Sequence, residues 1–357
     1  MSDSLRVGLI GYGGSGRGIH ARLLRAVGQR VTHVVTRNAE RAAAAEADWP
    51  GIVVLADVES LIDRAAELDL VVVASPTANH LAHVRALLDA GVPVVVDKPL
   101  ATTAEHARVL ARAAEASGAR LTVFQNRRWD PEQLTLRAVI DSGELGRVHR
   151  FERRWERWRP IPLQRWKETD VLAGGLLLDL GSHLVDSAVQ LFGPVTSVYA
   201  ELRSLLTPAE DDVFLALTHV PTPDGHAVRS HLQAGALVGA PGPRTRVLGD
   251  KGAYLVTSFE GEASPFARLD VPETPARHGE VRPEHEGWLV HGSERIAVPR
   301  APGGHADFYR AVVEWLTDGG PPPVNPWDAV RTAAVLDAAR ISSREGRVVE
   351  LRQATHP

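Results

Sequence analysis

Six short apolar runs at residues 7–10, 31–35, 52–55, 70–74, 92–96 and 121–124, separated by stretches rich in Ala, Arg and Leu, constrain this chain more than any other feature. Parallel strands need a crossover helix between them and are buried on both faces. The alternation therefore predicts an α/β fold with a doubly wound parallel (Rossmann) sheet over residues 1–124. After about Gln125 the texture changes: strand-like runs at 148–155, 195–202, 214–218 and 229–235 follow one another with few helices between them. That predicts a second, α+β domain over 125–357 with a mostly antiparallel sheet. The turn Gly249, Asp250, Lys251, Gly252 reads as a hairpin, and residues 262–286, rich in Pro, Glu, Arg and His, as a surface excursion. The last helix, 326–345, carries Asn325 as N-cap, Pro326 in its first position, Asp328 in its first turn and Gly346 as its stop; it is expected to pack back near the first domain.

Gly11, Gly13 and Gly16 form G-x-G-x-x-G between the first apolar run and a helical stretch holding Ile19, Leu23, Leu24 and Val27. Glycine permits the tight turn and close approach of backbone amides to a pyrophosphate, and the helix N-terminus attracts its charge. The loop Gly11, Tyr12, Gly13, Gly14, Ser15, Gly16 is thus the candidate dinucleotide cradle. Folds that prefer NAD place Asp or Glu at the end of the second strand to hold the ribose hydroxyls. Here that place reads Val35, Thr36, Arg37, Asn38. The planar fork of arginine suits a 2′-phosphate, with Thr36 as a further donor, so the expected cofactor is NADP; NAD is the alternative, with Glu40 or another group serving it. Ser75, Pro76, Thr77, Asn79 and His80 follow the fourth run, at the strand end where sheet ligands bind, and are expected to face the cofactor.

Asp97-Lys98-Pro99 closes the fifth run, and a point charge at Lys98 facing the cleft would stabilise a developing alkoxide. In Gly174 to His183 (GGLLLDLGSH), a helix starting at Leu178 would put Asp179 and His183, four apart, on one face. A histidine can accept an alcohol proton, and a carboxylate beside it can orient it or hold a neighbouring hydroxyl.

Together these segments resemble the Gfo/Idh/MocA oxidoreductases over nearly the whole chain. The likeness rests on GLIGYG at 8–13 with His20, Ser75-Pro76-Thr77 with His80, Asp97-Lys98-Pro99 where the family usually has Glu-Lys-Pro, and Asp179-Leu180-Gly181-Ser182-His183. It implies that Lys98 binds the reacting hydroxyl and lowers its pKa, that His183 is the general acid/base, and that Asp179 binds substrate and assists His183. It also implies a second domain whose large open sheet carries the substrate site and the contacts of a homodimer or homotetramer. Gln125-Asn126-Arg127-Arg128-Trp129-Asp130, the stretch 157–167 and Thr36-Arg37 further resemble the NADP-dependent scyllo-inositol dehydrogenases. Asp97, Lys98 and Asn126 are accordingly counted with the cofactor-facing residues. The expected substrate is a cyclic polyol or sugar whose secondary hydroxyl, or the matching ketone, exchanges hydride with nicotinamide. Arg127, Trp155, Arg157, Trp158 and Trp166 are expected to wall it, beside Asp179 and His183, because carbohydrates pair with planar apolar faces and fixed donors.

Composition excludes several other classes. A net charge of −4 does not suit a sequence-independent grip on nucleic acid, and Glu152 and Glu156 interrupt the basic run at 147–165. Without cysteine there is no disulfide, thiolate site or cysteine nucleophile. None of the 15 histidines forms H-E-x-x-H, and His278, His285 and His291 are expected to lie in the surface loop, so no metal is expected. The N-terminus shows no basic segment followed by an apolar core, and no apolar run reaches membrane-spanning length, so the cytoplasm is the expected location. A non-catalytic NADP-sensing regulator of the same fold is the alternative function; Lys98, Asp179 and His183 argue against it.

Overall fold

The computed structural model describes residues 4–257 and 285–351. The first sheet takes its shape from strands with no wet face. Leu70–Val73 and Val94–Val96 are wholly buried, and such strands can only be central and parallel. Six strands, β1 (Arg6–Ile10), β2 (Arg30–Val35), β3 (Val53–Leu55), β4 (Leu70–Val73), β5 (Val94–Val96) and β6 (Leu121–Val123), pair in parallel in the order β3-β2-β1-β4-β5-β6. The strand order reverses between β1 and β4, where the connections leave in opposite directions and open a crevice at the carboxyl ends.

The second sheet has nine strands: β7 (Val148–Glu156), β8 (Val195–Arg203), β9 (Asp212–His219), β10 (Arg229–Gly235), β11 (Thr245–Gly249), β12 (Ala253–Val256), β13 (His285–His291), β14 (Glu294–Pro299) and β15 (Val349–Glu350). Their order is β14-β13-β12-β11-β7-β10-β9-β8-β15, antiparallel throughout except for β7 with β10. Burial alternates along β9, with Val213, Leu215 and Leu217 inward, as expected of a sheet packed on one face. The turn after β11 closes as a hairpin, Gly249 N donating to Gly252 O at 2.9 Å. The expected excursion at 262–286, His278 included, lies outside the described residues save for His285 and Glu286. These two, with His291, belong to β13 and not to a loop.

The two cores are joined by the end of the chain. Helix Ala306–Asp318 puts Phe308, Tyr309, Val312 and Trp315 into the first core, so residues 1–124 do not close that core alone. Helix Pro326–Glu345 buries Val330 and Ala333 in the first core and Val335, Leu336 and Ala339 in the second. Its ends are set locally: the Asn325 side chain accepts from Trp327 N at 2.9 Å, and Gly346 takes a left-handed φ of 63°. Asp337 on this helix accepts from Ala104 N at 2.7 Å, and Arg128 clamps Asp186 at 2.6 Å and Asp328 at 2.9 Å. One helix thereby fixes how the carboxyl ends of the first sheet face the second domain. No helix among the described residues is long and apolar enough to cross a membrane.

Leu336 is 1% exposed at this junction. Leu336→Ala should cost about 2–5 kcal/mol in urea unfolding, against under about 0.5 kcal/mol for Leu163→Ala on the surface. Equal effects would contradict the bridging role.

Candidate active site

The glycine turn sits where β1 and β4 part. Gly11 has φ 93°, and a Cβ there would lie 2.8 Å from the Ala74 carbonyl oxygen at the end of β4; a Cβ on Gly16 would collide with the Gly11 carbonyl. Only glycine lets the chain turn this tightly. Gly16 opens a wide π-type turn, Gly16–Ala21, before the helix Arg22–Ala26. A cleft of about 1020 Å³ begins here and runs to the second domain. Gly11, Gly13, Gly14, Ser15, Thr36, Arg37, Ser75, Pro76, Thr77, His80, Asp97, Lys98 and Asn126 all line it.

Three expected cofactor residues, Tyr12, Gly16 and Asn79, do not line it, Gly16 being packed against the Gly11 carbonyl. Tyr12 is 1% exposed, its ring turned into the core where the hydroxyl donates to Asp48 at 2.9 Å and accepts from Trp49 Nε1 at 3.1 Å. Residues alternate across the strand end, so its neighbours face the cleft while it faces inward. Asn79 is exposed at the start of helix His80–Asp89 and outside the cleft lining. His80 acts from beneath: its ring nitrogens lie 2.9 Å from Pro99 O and 2.9 Å from Ser75 O, stapling the loops after β4 and β5.

Asp97 ties the glycine turn to the lysine. It accepts from the Ser15 hydroxyl at 2.5 Å and from Lys98 N at 2.8 Å, with His20 Nε2 at 3.7 Å and the Tyr309 hydroxyl 2.6 Å from His20 Nδ1. Burial alone would raise the Asp97 pKa, but His20, Lys98 and Ser15 outweigh it and hold the carboxyl well below the usual range.

Lys98 then crosses the cleft. Its ammonium donates to Asp179 O at 2.6 Å and to Asp179 Oδ1 at 3.1 Å. Asp179 lies in a wide π-type turn, Leu177–Gly181, that leads into helix Ser182–Phe192, which carries His183 in its first turn. The expected continuous α-helix from Leu178 is thus a π turn followed by an α-helix, a feature that recurs at functional sites. Asp179 and His183 both line the cleft, but the Asp179 carboxylate is held by lysines and not by His183. His183 Nδ1 is buried without a partner.

Burial opposes the Asp179 charge, yet Lys98 and Lys167 hold its pKa well below 3.8. Burial, then the Lys98 and Arg127 cations, pull His183 well below 6.5, which keeps the imidazole neutral. Burial also lowers Lys98 from 10.5; Asp179 works against this, and Lys167 reinforces it.

Of the expected substrate wall, Arg127, Arg157 and Trp166 line the cleft, Trp166 being 38% exposed near its mouth. Trp155 also borders it but offers no open face: it is 3% exposed, with the guanidinium carbons of Arg127 and Arg244 at 4.5 and 4.4 Å from its ring and His183 at 5.8 Å. It seats those cations instead. Trp158 stands 62% exposed beside Gly239, outside the cleft. Asn126 donates to His305 Nδ1 at 3.1 Å, and His305 in turn pairs with Asp130, which binds Arg127 at 2.9 Å.

Three site residues escaped the sequence reading. Arg41 reaches to within 3.6 Å of the Cβ position of Gly13, placed by Asn38, which caps its helix by accepting from Arg41 N at 2.9 Å. Arg37 followed four residues later by Arg41 on a capped helix was the available signal. His305 carried no local signal. Lys167 donates to Asp179 Oδ1 at 2.6 Å; its signal was the rarity of lysine in the chain.

One cleft thus gathers a glycine turn suited to a dinucleotide, an ammonium, a carboxylate and a neutral imidazole. Residues 5–125 match the family model described as the oxidoreductase family's NAD-binding Rossmann fold, and residues 137–351 the one described as its C-terminal alpha/beta domain. The chain belongs to the Gfo/Idh/MocA family. A scyllo-inositol 2-dehydrogenase (NADP(+)), IolW, of Bacillus subtilis is 31% identical over 354 residues, 98% of this chain and 96% of its own. Inositol 2-dehydrogenase 2 of Saccharopolyspora erythraea is 30% identical, with 99% of this chain and 97% of its own covered. The solved structure of the oxidoreductase YvaA of Bacillus subtilis superposes with a TM-score of 0.86 at 29% identity, covering 99% of both chains. The cleft beside Gly13, Gly14 and Ser15, open at Gly14 where a Cβ would meet nothing within 4 Å, fits the dinucleotide of this family.

Gly14→Asp, which sets a carboxylate in the open cleft where a pyrophosphate would lie, should weaken NADPH binding by roughly tenfold or more in fluorescence titration while leaving the far-UV circular dichroism unchanged. An affinity within twofold of wild type would remove the turn from the cofactor site.

Proposed function

We propose that this enzyme oxidises a secondary hydroxyl of an inositol-like cyclic polyol or a sugar, or reduces the matching ketone, with NADP. The observation that carries the reading is the Lys98–Asp179 pair spanning the cleft beside His183. Nicotinamide supplies a hydride acceptor or donor for the carbon that bears the oxygen. Lys98, with two donor bonds already committed to Asp179, has a third proton for the substrate oxygen and places positive charge where negative charge develops. His183, kept neutral by burial and by the neighbouring cations, takes the proton as the O–H bond breaks and returns it in the reverse direction. Asp179 anchors Lys98 and lies within the cleft where a neighbouring hydroxyl would sit. The partly exposed ring of Trp166 and the guanidiniums of Arg127 and Arg157 suit a ring bearing several hydroxyls.

Arg37 and Arg41, with Thr36, favour NADP: two guanidiniums lie at the end of β2, where a 2′-phosphate would need them. Asp57, which faces the same end, is engaged as a helix cap, accepting from Ser60 N at 2.8 Å. The IolW relative bears NADP(+) in its name.

The test is a turnover screen of inositols, aldoses and keto sugars, in both directions, with NADP and NAD. NADP-linked turnover of a polyol or sugar is expected. Lys98→Met and His183→Ala should each lower kcat by roughly 10²–10⁴-fold with NADPH still bound, and Arg37→Asp should move the preference towards NAD. If no polyol or sugar reacts, the substrate class is wrong; turnover retained in both active-site variants would remove Lys98 and His183 from the chemistry.

A further inference from the structure

Only three of the 40 basic residues are lysines: Lys98, Lys167 and Lys251. Arginine serves elsewhere, including the buried pairs of Arg153 and Arg244 with Glu132. Lys251 is exposed at the tip of the β11–β12 hairpin. The other two meet at a single atom. Lys167 Nζ lies 2.6 Å and Lys98 Nζ 3.1 Å from Asp179 Oδ1. They come from different parts of the fold, Lys98 from the end of β5 and Lys167 from the short helix Trp166–Thr169.

Two ammonium groups on one carboxylate oxygen repel each other, and folding alone does not call for the second. The segment around Lys167 closes on itself through Arg165 with Glu168 at 2.7 Å and Gly174 N donating to Asp170 O at 2.8 Å. The Lys167 side chain remains 38% exposed. Charge is what it adds. Lys98 with Asp179 alone is a neutral pair, poorly suited to stabilising a negative oxygen; with Lys167 the cluster carries one net positive charge.

We propose that Lys167 is a positioning residue for the reaction assigned above: by sharing Asp179 Oδ1 it takes up the carboxylate's charge and leaves the Lys98 ammonium free to stabilise a substrate oxyanion. The inference rests on that reading of the site. The other groups around Lys98 are accounted for. Asp97 is engaged by Ser15, His20 and the Lys98 backbone N–H, and His183 is neutral. Asp179 raises Lys167 against the burial that lowers it, and Arg165 is the further cation acting on it. Burial lowers Lys98 most; Asp179 works against this, and Lys167 lowers it further.

The test needs no substrate. In protein labelled with ¹³C at lysine Cε, three side-chain resonances are expected, assigned by their loss in Lys98→Met, Lys167→Met and Lys251→Met. Lys98 is then titrated in wild type, Lys167→Met and Lys167→Arg, without cofactor. Its midpoint should lie below 10.5 in wild type. It should rise by about one unit or more in Lys167→Met and stay within about 0.3 unit of wild type in Lys167→Arg, which keeps the charge. An unmoved midpoint in Lys167→Met overturns the proposal. So does an equal rise in both variants, which would trace the effect to packing. Absence of turnover on any polyol or sugar would contradict the functional reading and leave this titration to decide the role of Lys167 by itself.

Discussion

Lys98 belongs to the first sheet and Asp179 to the second domain, and the contact between them is what the rest of the site depends on. The ammonium meets both the backbone carbonyl and the carboxylate of Asp179, so the end of β5 is held against the turn that presents His183. A few ångströms of slip between the domains would break both bonds. The helix Pro326–Glu345 prevents that slip by lying in both hydrophobic cores, with Arg128 clamping Asp186 and Asp328 beside it.

On the first-sheet side, a chain of short-range bonds carries the same order to the glycine turn. Ser15 leans on Asp97, Asp97 holds the backbone of Lys98, and His80 fixes the loop that follows Lys98 to the loop after β4. The glycine turn and the Lys98 ammonium are therefore parts of one rigid edge. On the opposite side, Arg127 stacks with Arg244 on the buried Trp155, and burial with the charges of Lys98 and Arg127 keeps the His183 imidazole neutral.

The features legible in the sequence are those set by local backbone or by strand period. The alternating apolar runs give the parallel sheet, Gly11 to Gly16 give the turn, and Asn325 to Gly346 give the last helix, since each rests on residues adjacent in the chain. Lys98 was visible because it ends an apolar strand. Lys167 and His305 were not, since only tertiary folding brings them to Asp179 and Asp130. Side-chain direction was the other loss. The same loop that turns Gly13 to the cleft turns Tyr12 into the core, and Trp155 and Trp158, three residues apart, end one beneath cations and the other in solvent. Composition marks a tryptophan as available to a sugar, but it does not say what already covers its ring.

The central claim is that a neutral His183, set beside the Lys98–Asp179 pair, handles the proton of the substrate hydroxyl. The pH dependence of kcat/KM for NADP-linked polyol oxidation tests it most directly. A lowered histidine pKa means the base stays competent as the solution is acidified, so kcat/KM should hold level through neutrality and fall by one proton only below 6.5. An acid limb at or above 6.5 would contradict the account.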